Sequence, residues 1–570
     1  MKKRLISTML FVVVAMGAMA VPAKPGPIVI TEADGTEQVV YIHGDEHFHY
    51  MTTPEGQWVE MREGSLHKVQ GLTADEVEAQ WNARREERIP RRVATATNMA
   101  MPLNIAPKGL IILVQFSDLS FQPANTLAAF QSMFNGDEYS FNGATGSAKK
   151  YFKDQSFGQY VPEFDVVGPV TVSQPQKYYG ANNGRGNDQH PEEMIIEACQ
   201  IADTMFNVDF TQYDNDNNGY IDFVYVLYAG RGEADGGGSS TIWPHTSWIY
   251  QGYGKTIRLD GKLLDTYACS NELQSGYALF AARDGIGAFC HEFGHVLGLS
   301  DHYATNSNSL KQMGNWDIMC SGSYNNSSHT PAGYTAYERF FCGWGKPVLL
   351  NEPITCDSMK PINTSGEMYI ITSTGTSNLV GNDPNPATFY LLENRQKTGW
   401  DGYIPGHGLL LTCVRYSYNR WIQNTINNYK PLGYEIIEAD GKEPTQSGYE
   451  DNGYKGKQGD VFPAGSVNST TSFTTDHPIF ETYPISDIQE NDQYIHFKFM
   501  GGYDAISPRV KTEAAERYGD DFTEIVALYD ISGRLLSDNP KLNELTPGLY
   551  IVAVSNGKKS RGIKIYIKQQ

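Results

Sequence analysis

The run His291-Glu292-Phe293-Gly294-His295-Val296-Leu297-Gly298-Leu299-Ser300-Asp301 brings together side chains that can hold a metal and move a proton. On a helix, residues four apart share a face, so His291 and His295 can present two imidazoles to one ion. Glu292 lies about 100° round the helix from His291, beside the position where a water would complete the ligand set. Zinc lowers the pKa of such a water to about 7, and a neighbouring carboxylate can take its proton. Gly298 lets the chain turn sharply and return Asp301 as a third protein ligand. His302 adjoins it and could serve in principle, although the spacing favours Asp301. The flanking Ala288, Phe289, Phe293, Val296 and Leu299 imply a largely buried helix, where unpaired polar groups would be costly without a metal.

These residues need a scaffold, and the pattern around them supplies one. Ile286, Phe289, Phe293 and Leu297 recur at helical spacing, and Gly298 closes the helix. Gly109–Phe116 and Phe223–Tyr228 read as buried strands, whereas Ala148–Asp154 and Pro191–Thr204 read as helices. Residues 101–345 are therefore expected to form an α/β domain. Upstream, residues 21–100 form a β-rich unit with a strand at Val39–Ile42. It ends in the charged stretch Arg84–Arg92, an exposed and easily cut linker. Downstream, short apolar runs such as Met368–Ile371 and Leu409–Thr412, separated by turn residues, predict β-sandwich-like structure over 346–502. Residues 503–570 carry three short strands with glycine turns and predict a second, small sandwich.

The bulk composition narrows the function. The 570 residues suggest a multidomain chain, with 40% hydrophobic and 19% charged residues, as in globular proteins with sizeable cores. A net charge of −20, from 65 acidic against 45 basic residues, argues against a nucleic-acid partner. Lys2, Lys3 and Arg4 precede an apolar run from Met9 to Ala18 and a small-residue site at Ala18-Met19-Ala20. This is the layout of a signal peptide over residues 1–20. The run is shorter than the about 20 residues a bilayer span needs, so no transmembrane segment is expected in the mature chain. The seven cysteines include no CxxC pair, and most read as buried thiols.

A second ligand-rich stretch is Asp214-Asn-Asp216-Asn-Asn218-Gly219-Tyr220-Ile-Asp222. Its Asp214, Asp216, Asn218, Gly219 and Asp222 match the first, third, fifth, sixth and ninth positions of an EF-hand loop, with the Tyr220 carbonyl available. The last position is Tyr225 rather than Glu, so a true EF-hand is not expected.

The pattern HExxHxxGxxD resembles that of metzincin-like zinc peptidases, and its Asp form resembles the immune inhibitor A family. Asp214–Asp222, Ile242-Trp-Pro-His245, Trp316-Asp-Ile-Met319 and Phe389–Arg395 are similar to that family's landmarks, in the same order, over roughly residues 25–500. The resemblance implies a multidomain fold with an α/β (α+β) metzincin-like peptidase domain, a β-rich propeptide over 21–100 and β-sandwich C-terminal domains. It implies zinc held by His291, His295 and Asp301, with Glu292 as general base in peptide-bond hydrolysis. Met319 would be the Met-turn residue beneath the metal. It also favours structural calcium at Asp214, Asp216, Asn218, Tyr220 and Asp222. Many such sites place a Tyr two residues after the Met, where this chain has Ser321, so Tyr324, Tyr303 and His245 become candidates for transition-state hydrogen bonding.

His43-Gly-Asp45-Glu46-His47-Phe-His49 could mask the metal in a zymogen, although each residue alone reads as an exposed strand position. Tyr529–Gly533, Pro547–Tyr550 and the last strand through Lys564 resemble a type IX secretion sorting domain, which implies the type IX machinery as a partner. The expected protein is a secreted or surface-attached monomer acting on proteins or peptides. One alternative is a surface-located adhesive protein with a structural metal; another is a zinc hydrolase of non-peptide substrates.

Overall fold

The computed structural model describes residues 19–88 apart from 33 and 63–64, then 106–183, 186–274, 282–306, 313–442, 456–502, 506–519 and 522–567 apart from 523, 539, 541, 543–544 and 547. The predicted signal peptide lies outside the described residues except for Met19 and Ala20. The predicted processing region at 88–100 does so except for Arg88.

The α/β domain is built on five strands in the order His245–Trp248, Thr266–Leu273, Val224–Arg231, Lys108–Gln115, Glu163–Thr171. The four from Thr266–Leu273 onward pair in parallel, and only the edge strand His245–Trp248 is antiparallel. Central parallel strands are covered on both faces, which is why Leu110 to Val114 form an unbroken apolar run. On one face, Ile111, Leu113, Tyr225 and Leu227 meet Phe289 and Phe293 of the helix Gly287–Val296. On the other, Leu110, Ile112, Val224 and Val226 meet Met194, Ile195, Ala198 and Ala202 of the helix Pro191–Phe206. Phe289 and Phe293 are each about fully buried, and burial of a Phe contributes about 1.5–3 kcal/mol. They anchor the helix that carries the histidines.

Residues 28–68 form one antiparallel five-stranded sheet, followed by the helix Ala74–Arg88. The ligand-rich patch departs from expectation. Asp45, Glu46 and His47 sit in the turn between the strands Glu37–Gly44 and His49–Thr52, and all three are buried rather than exposed. Trp81 of the helix donates its indole N–H to Asp45 Oδ1 at 2.8 Å, which ties the turn to the unit's own core.

After residue 346 the chain forms two sheets with a common core. The strands Val348–Leu349, Met368–Thr372, Thr388–Arg395, Gly408–Arg415 and Tyr434–Ile436 form one sheet. Ile354–Met359, Tyr494–Phe499 and Ile485–Asn491 form the other. Between them pack Ile371, Leu392, Leu409, Leu411, Phe497 and Phe499. The opposite face of the larger sheet shares a core with Tyr303, Trp316, Tyr337 and Phe340, so the expected boundary at 345 is crossed by continuous packing. Arg395 is buried there and donates to both oxygens of Asp401, at 2.8 and 2.6 Å. The last unit differs from the predicted sandwich. Among the described residues it is one four-stranded antiparallel sheet, with the helix Ile506–Tyr518 contributing Val510 and Ala514 to its core. A helix covers the apolar face that a second sheet would have covered.

All seven cysteines are buried and none is in a disulfide, in line with the reading of buried thiols. Among the described residues, no helix is long and apolar enough to cross a membrane.

Candidate metal centre

The helix Gly287–Val296 ends in a Schellman turn: Gly298 adopts φ +94°, Leu299 N–H donates to Gly294 O at 3.0 Å and Gly298 N–H to His295 O at 2.9 Å. That turn has a chemical consequence. It returns the Leu299 carbonyl to His295, where it accepts from Nδ1 at 2.9 Å. The Ile318 carbonyl accepts likewise from His291 Nδ1 at 2.8 Å. Each imidazole is thereby fixed with its Nε2 lone pair pointing inward.

The two Nε2 atoms lie 3.2 Å apart, and Asp301 Oδ1 lies 3.2 and 3.4 Å from them. All three side chains are buried, and the donors lie within 4.8 Å of one another. Asp301 Oδ1 has no hydrogen-bond donor. Two lone pairs and a carboxylate oxygen facing one another in a buried site fit a cation. His302, the rival ligand, turns elsewhere: its Nδ1 meets Asp317 Oδ2 at 2.7 Å.

Glu292 faces the edge strand. Thr246 Oγ1 donates to its Oε2 at 2.7 Å, and Val21 N–H donates to its Oε1 at 2.9 Å. Burial pushes the Glu292 carboxyl up to about 8, against the pulls of His291 and the Thr246 hydroxyl. Met319 lies beneath the helix. A methyl group added at Gly294 would come within 2.5 Å of Met319 Sδ, so the glycine is what lets the two elements touch. Met319 N–H donates to Asp317 Oδ1 at 2.7 Å, which fixes the turn.

The three candidates for transition-state hydrogen bonding separate. His245 has Nδ1 on Trp243 O at 2.7 Å and Nε2 on Tyr267 OH at 2.9 Å, so both ring nitrogens are engaged within the sheet. Tyr303 and Tyr324 instead donate their hydroxyls to main-chain carbonyls of Ala20 and Pro22, at 2.5 and 2.7 Å. Two contributors were not legible in the motif. Thr246 is one. Asn424 is the other: its Oδ1 accepts from Asp301 N–H at 2.7 Å and its Nδ2 donates to Asp301 Oδ2 at 2.5 Å. Both are polar residues far off in the chain, with no local pattern to mark them.

The turn from the first unit lies close by. Burial pushes the Asp45 carboxyl up to about 7 against the pull of the His47 and Phe48 amides, and the charge of Asp301 adds to the rise. The loop expected to take calcium is arranged differently from an ion cage. Lys262 Nζ lies 2.5 Å from Asp214 Oδ2, and Asp214 also accepts from the amides of Asn218 and Gly219. Asp222 Oδ2 accepts from Asn215 N–H at 2.7 Å. Among the described residues, the carboxylates of Asp214, Asp216 and Asp222 do not gather within 4.8 Å of one another.

Comparison with known proteins bears on the segment that builds this cluster. Residues 106–343 match the family described as immune inhibitor A peptidase M6, catalytic domain. The chain is 26% identical to Immune inhibitor A of Bacillus thuringiensis subsp. alesti over 272 residues, covering 41% of this chain and 39% of that protein. It is 27% identical to the pre-pro-metalloprotease PrtV of Vibrio cholerae serotype O1, strain M66-2, over 255 residues, covering 38% of this chain and 27% of that protein. The matches thus span well under half the length of either relative. The region that places two histidines and an aspartate around one point is therefore similar to a peptidase M6 catalytic domain, and the likeness supports a metal-dependent peptidase.

Proposed function

We propose that the chain is a zinc-dependent endopeptidase exported from the cell, with His291, His295 and Asp301 holding the metal and Glu292 as general base. The observation that carries this reading is the convergence of two inward Nε2 atoms on an unpartnered, buried Asp301 oxygen. When bound there, zinc would polarise a peptide carbonyl and acidify a water. Glu292 is placed to accept a proton from an attacking water and to pass it to the leaving amine. Thr246 orients the carboxylate through Oε2, and the carbonyls of Ile318 and Leu299 hold the imidazoles in place.

The test is Glu292→Gln. The variant is expected to bind zinc in the same amount and to lose about 10²–10⁴-fold in hydrolysis of casein. Undiminished proteolysis would overturn the assignment.

Other parts of the reading rest on the sequence. Residues 1–20 are a signal peptide, 21–100 a propeptide that keeps the enzyme latent, and 503–570 a sorting domain for type IX secretion. The mature enzyme acts as a monomer on extracellular proteins. Calcium binding by Asp214, Asp216, Asn218, Tyr220 and Asp222 would require Lys262 to swing away from Asp214. Addition of a calcium chelator should then lower the melting temperature, and an unchanged melting temperature would refute the site.

A further inference from the structure

Three side chains of different chemistry converge in the unit after residue 346, and none of them belongs to the centre described above. Cys413 lies on the strand Gly408–Arg415, with Tyr390 opposite it on one neighbouring strand and Glu435 opposite it on the other. Residues paired across neighbouring strands share a face, so the three stand side by side on the face where Tyr390 and Cys413 join the common core. His477 arrives from the segment before the short helix Ile479–Thr482, and its Nδ1 lies 3.2 Å from the Tyr390 hydroxyl. One donor atom each from Cys413, Glu435 and His477 then lies within 4.8 Å of the others. Cys413 and His477 are buried, whereas the Glu435 side chain is 19% exposed and opens the cluster to solvent.

The surroundings suit a cation. The His477 ring packs against Tyr390 and Phe480, with centroids 5.6 and 6.2 Å away, at the rim of an apolar core. Burial and the Arg415 charge bring its imidazole down to about 4, so near neutral pH it is uncharged and carries a lone pair. Arg415 donates to Glu435 Oε1, and the several lone-pair sites of a carboxylate leave capacity beside that bond. Thiolate sulfur, imidazole nitrogen and carboxylate oxygen are the donor kinds that zinc takes. No CxxC pair marks the cysteine, because each ligand comes from a different segment of the chain.

We propose that Cys413, Glu435 and His477 form a second zinc site, structural in role, which ties the segment around His477 to the larger sheet. Binding forms one Zn–S bond and releases the Cys413 thiol proton to solvent. The ion then carries one thiolate and one carboxylate, whose charges cancel its own. The Tyr390 hydroxyl orients the imidazole, and a water completes the tetrahedral set. No ligand is shared with His291, His295 and Asp301, so the site stands apart from the peptidase reading.

Cobalt(II) in place of zinc reads this site alone. A thiolate ligand gives cobalt a charge-transfer band in the near ultraviolet, which two imidazoles and a carboxylate cannot give. The full chain, treated with a chelator, desalted and titrated with cobalt(II), should develop that band and saturate it at one equivalent per chain. Cys413→Ser should abolish the band. Glu435→Gln, a change of equal shape at a partly exposed side chain, should weaken cobalt binding at the band about tenfold or more. Its melting temperature in chelator should match that of the parent, which separates lost ligation from lost folding. No band in the full chain, a band that survives Cys413→Ser, or a band of unchanged affinity in Glu435→Gln overturns the proposal. Casein hydrolysis by Glu292→Gln decides the peptidase reading separately, so either can fail without the other.

Discussion

The contact between Gly294 and Met319 allows a sharp prediction for Gly294→Ala. The new methyl would lie 2.5 Å from Met319 Sδ and 3.2 Å from its Cε, whereas carbon contacts relax at about 3.5–4.0 Å. Met319 is fully buried, so the thioether must shift by about 1 Å within a packed core. Overpacking of this kind costs about 1–3 kcal/mol. Replacing a mid-helix glycine by alanine returns about 1 kcal/mol, which leaves a net loss of about 0–2 kcal/mol. The effect on metal should be larger than the effect on stability. Met319 follows Ile318, whose carbonyl fixes His291 Nδ1, and disturbing such an outer partner typically costs about 10–100-fold in affinity. Thermal unfolding of the zinc-free protein and zinc titration against a competing chelator measure the two terms separately. Adding Met319→Ala should make room for the methyl, so the double variant should be less unstable than the sum of the singles. Unchanged zinc affinity in Gly294→Ala, or perfect additivity in the double variant, would refute the coupling of helix, methionine and ligand.

Asn424→Ala removes both hydrogen bonds that aim the Asp301 side chain and backbone; zinc affinity is expected to fall about 10–100-fold in the same titration. His477 gives a pH prediction for the sandwich unit. Burial, helped by the Arg415 charge, brings its imidazole from 6.5 down to about 4. The folded form therefore binds fewer protons than the unfolded form between those values, and stability falls as pH drops from 6.5 to 4. The full effect is about 3 kcal/mol, and His477→Asn should flatten the unfolding free energy over that window.

The convergence of His291, His295 and Asp301 was legible because its parts are local. Two histidines one helical turn apart, a glycine that must take positive φ and an aspartate just beyond it are all fixed by short-range geometry. The strands were legible for a related reason, since a buried parallel strand leaves an apolar run that needs no partner to be recognised. Thr246 and Asn424 were not legible, because each meets its target only through a long-range closure of the chain. The Asp45 turn was misread for the opposite reason. Its residue types suit water, and only the docking of Trp81 and the neighbouring unit makes their burial possible. The last unit failed at the level of layers: three strand patterns do not say whether a sheet or a helix covers them.

Asn424 belongs to the unit after residue 346, yet it orients Asp301, which the preceding unit supplies, and the two units share one core across residue 345. Similarity to the peptidase M6 catalytic domain spans residues 106–343, but that stretch holds only part of what keeps its own aspartate in place. The segment that similarity marks out is thus shorter than the segment that packs as one core. A fragment cut at the end of the matched segment would keep every residue of the motif, yet present Asp301 without its clamp and expose the apolar side of Tyr337 and Phe340 to water.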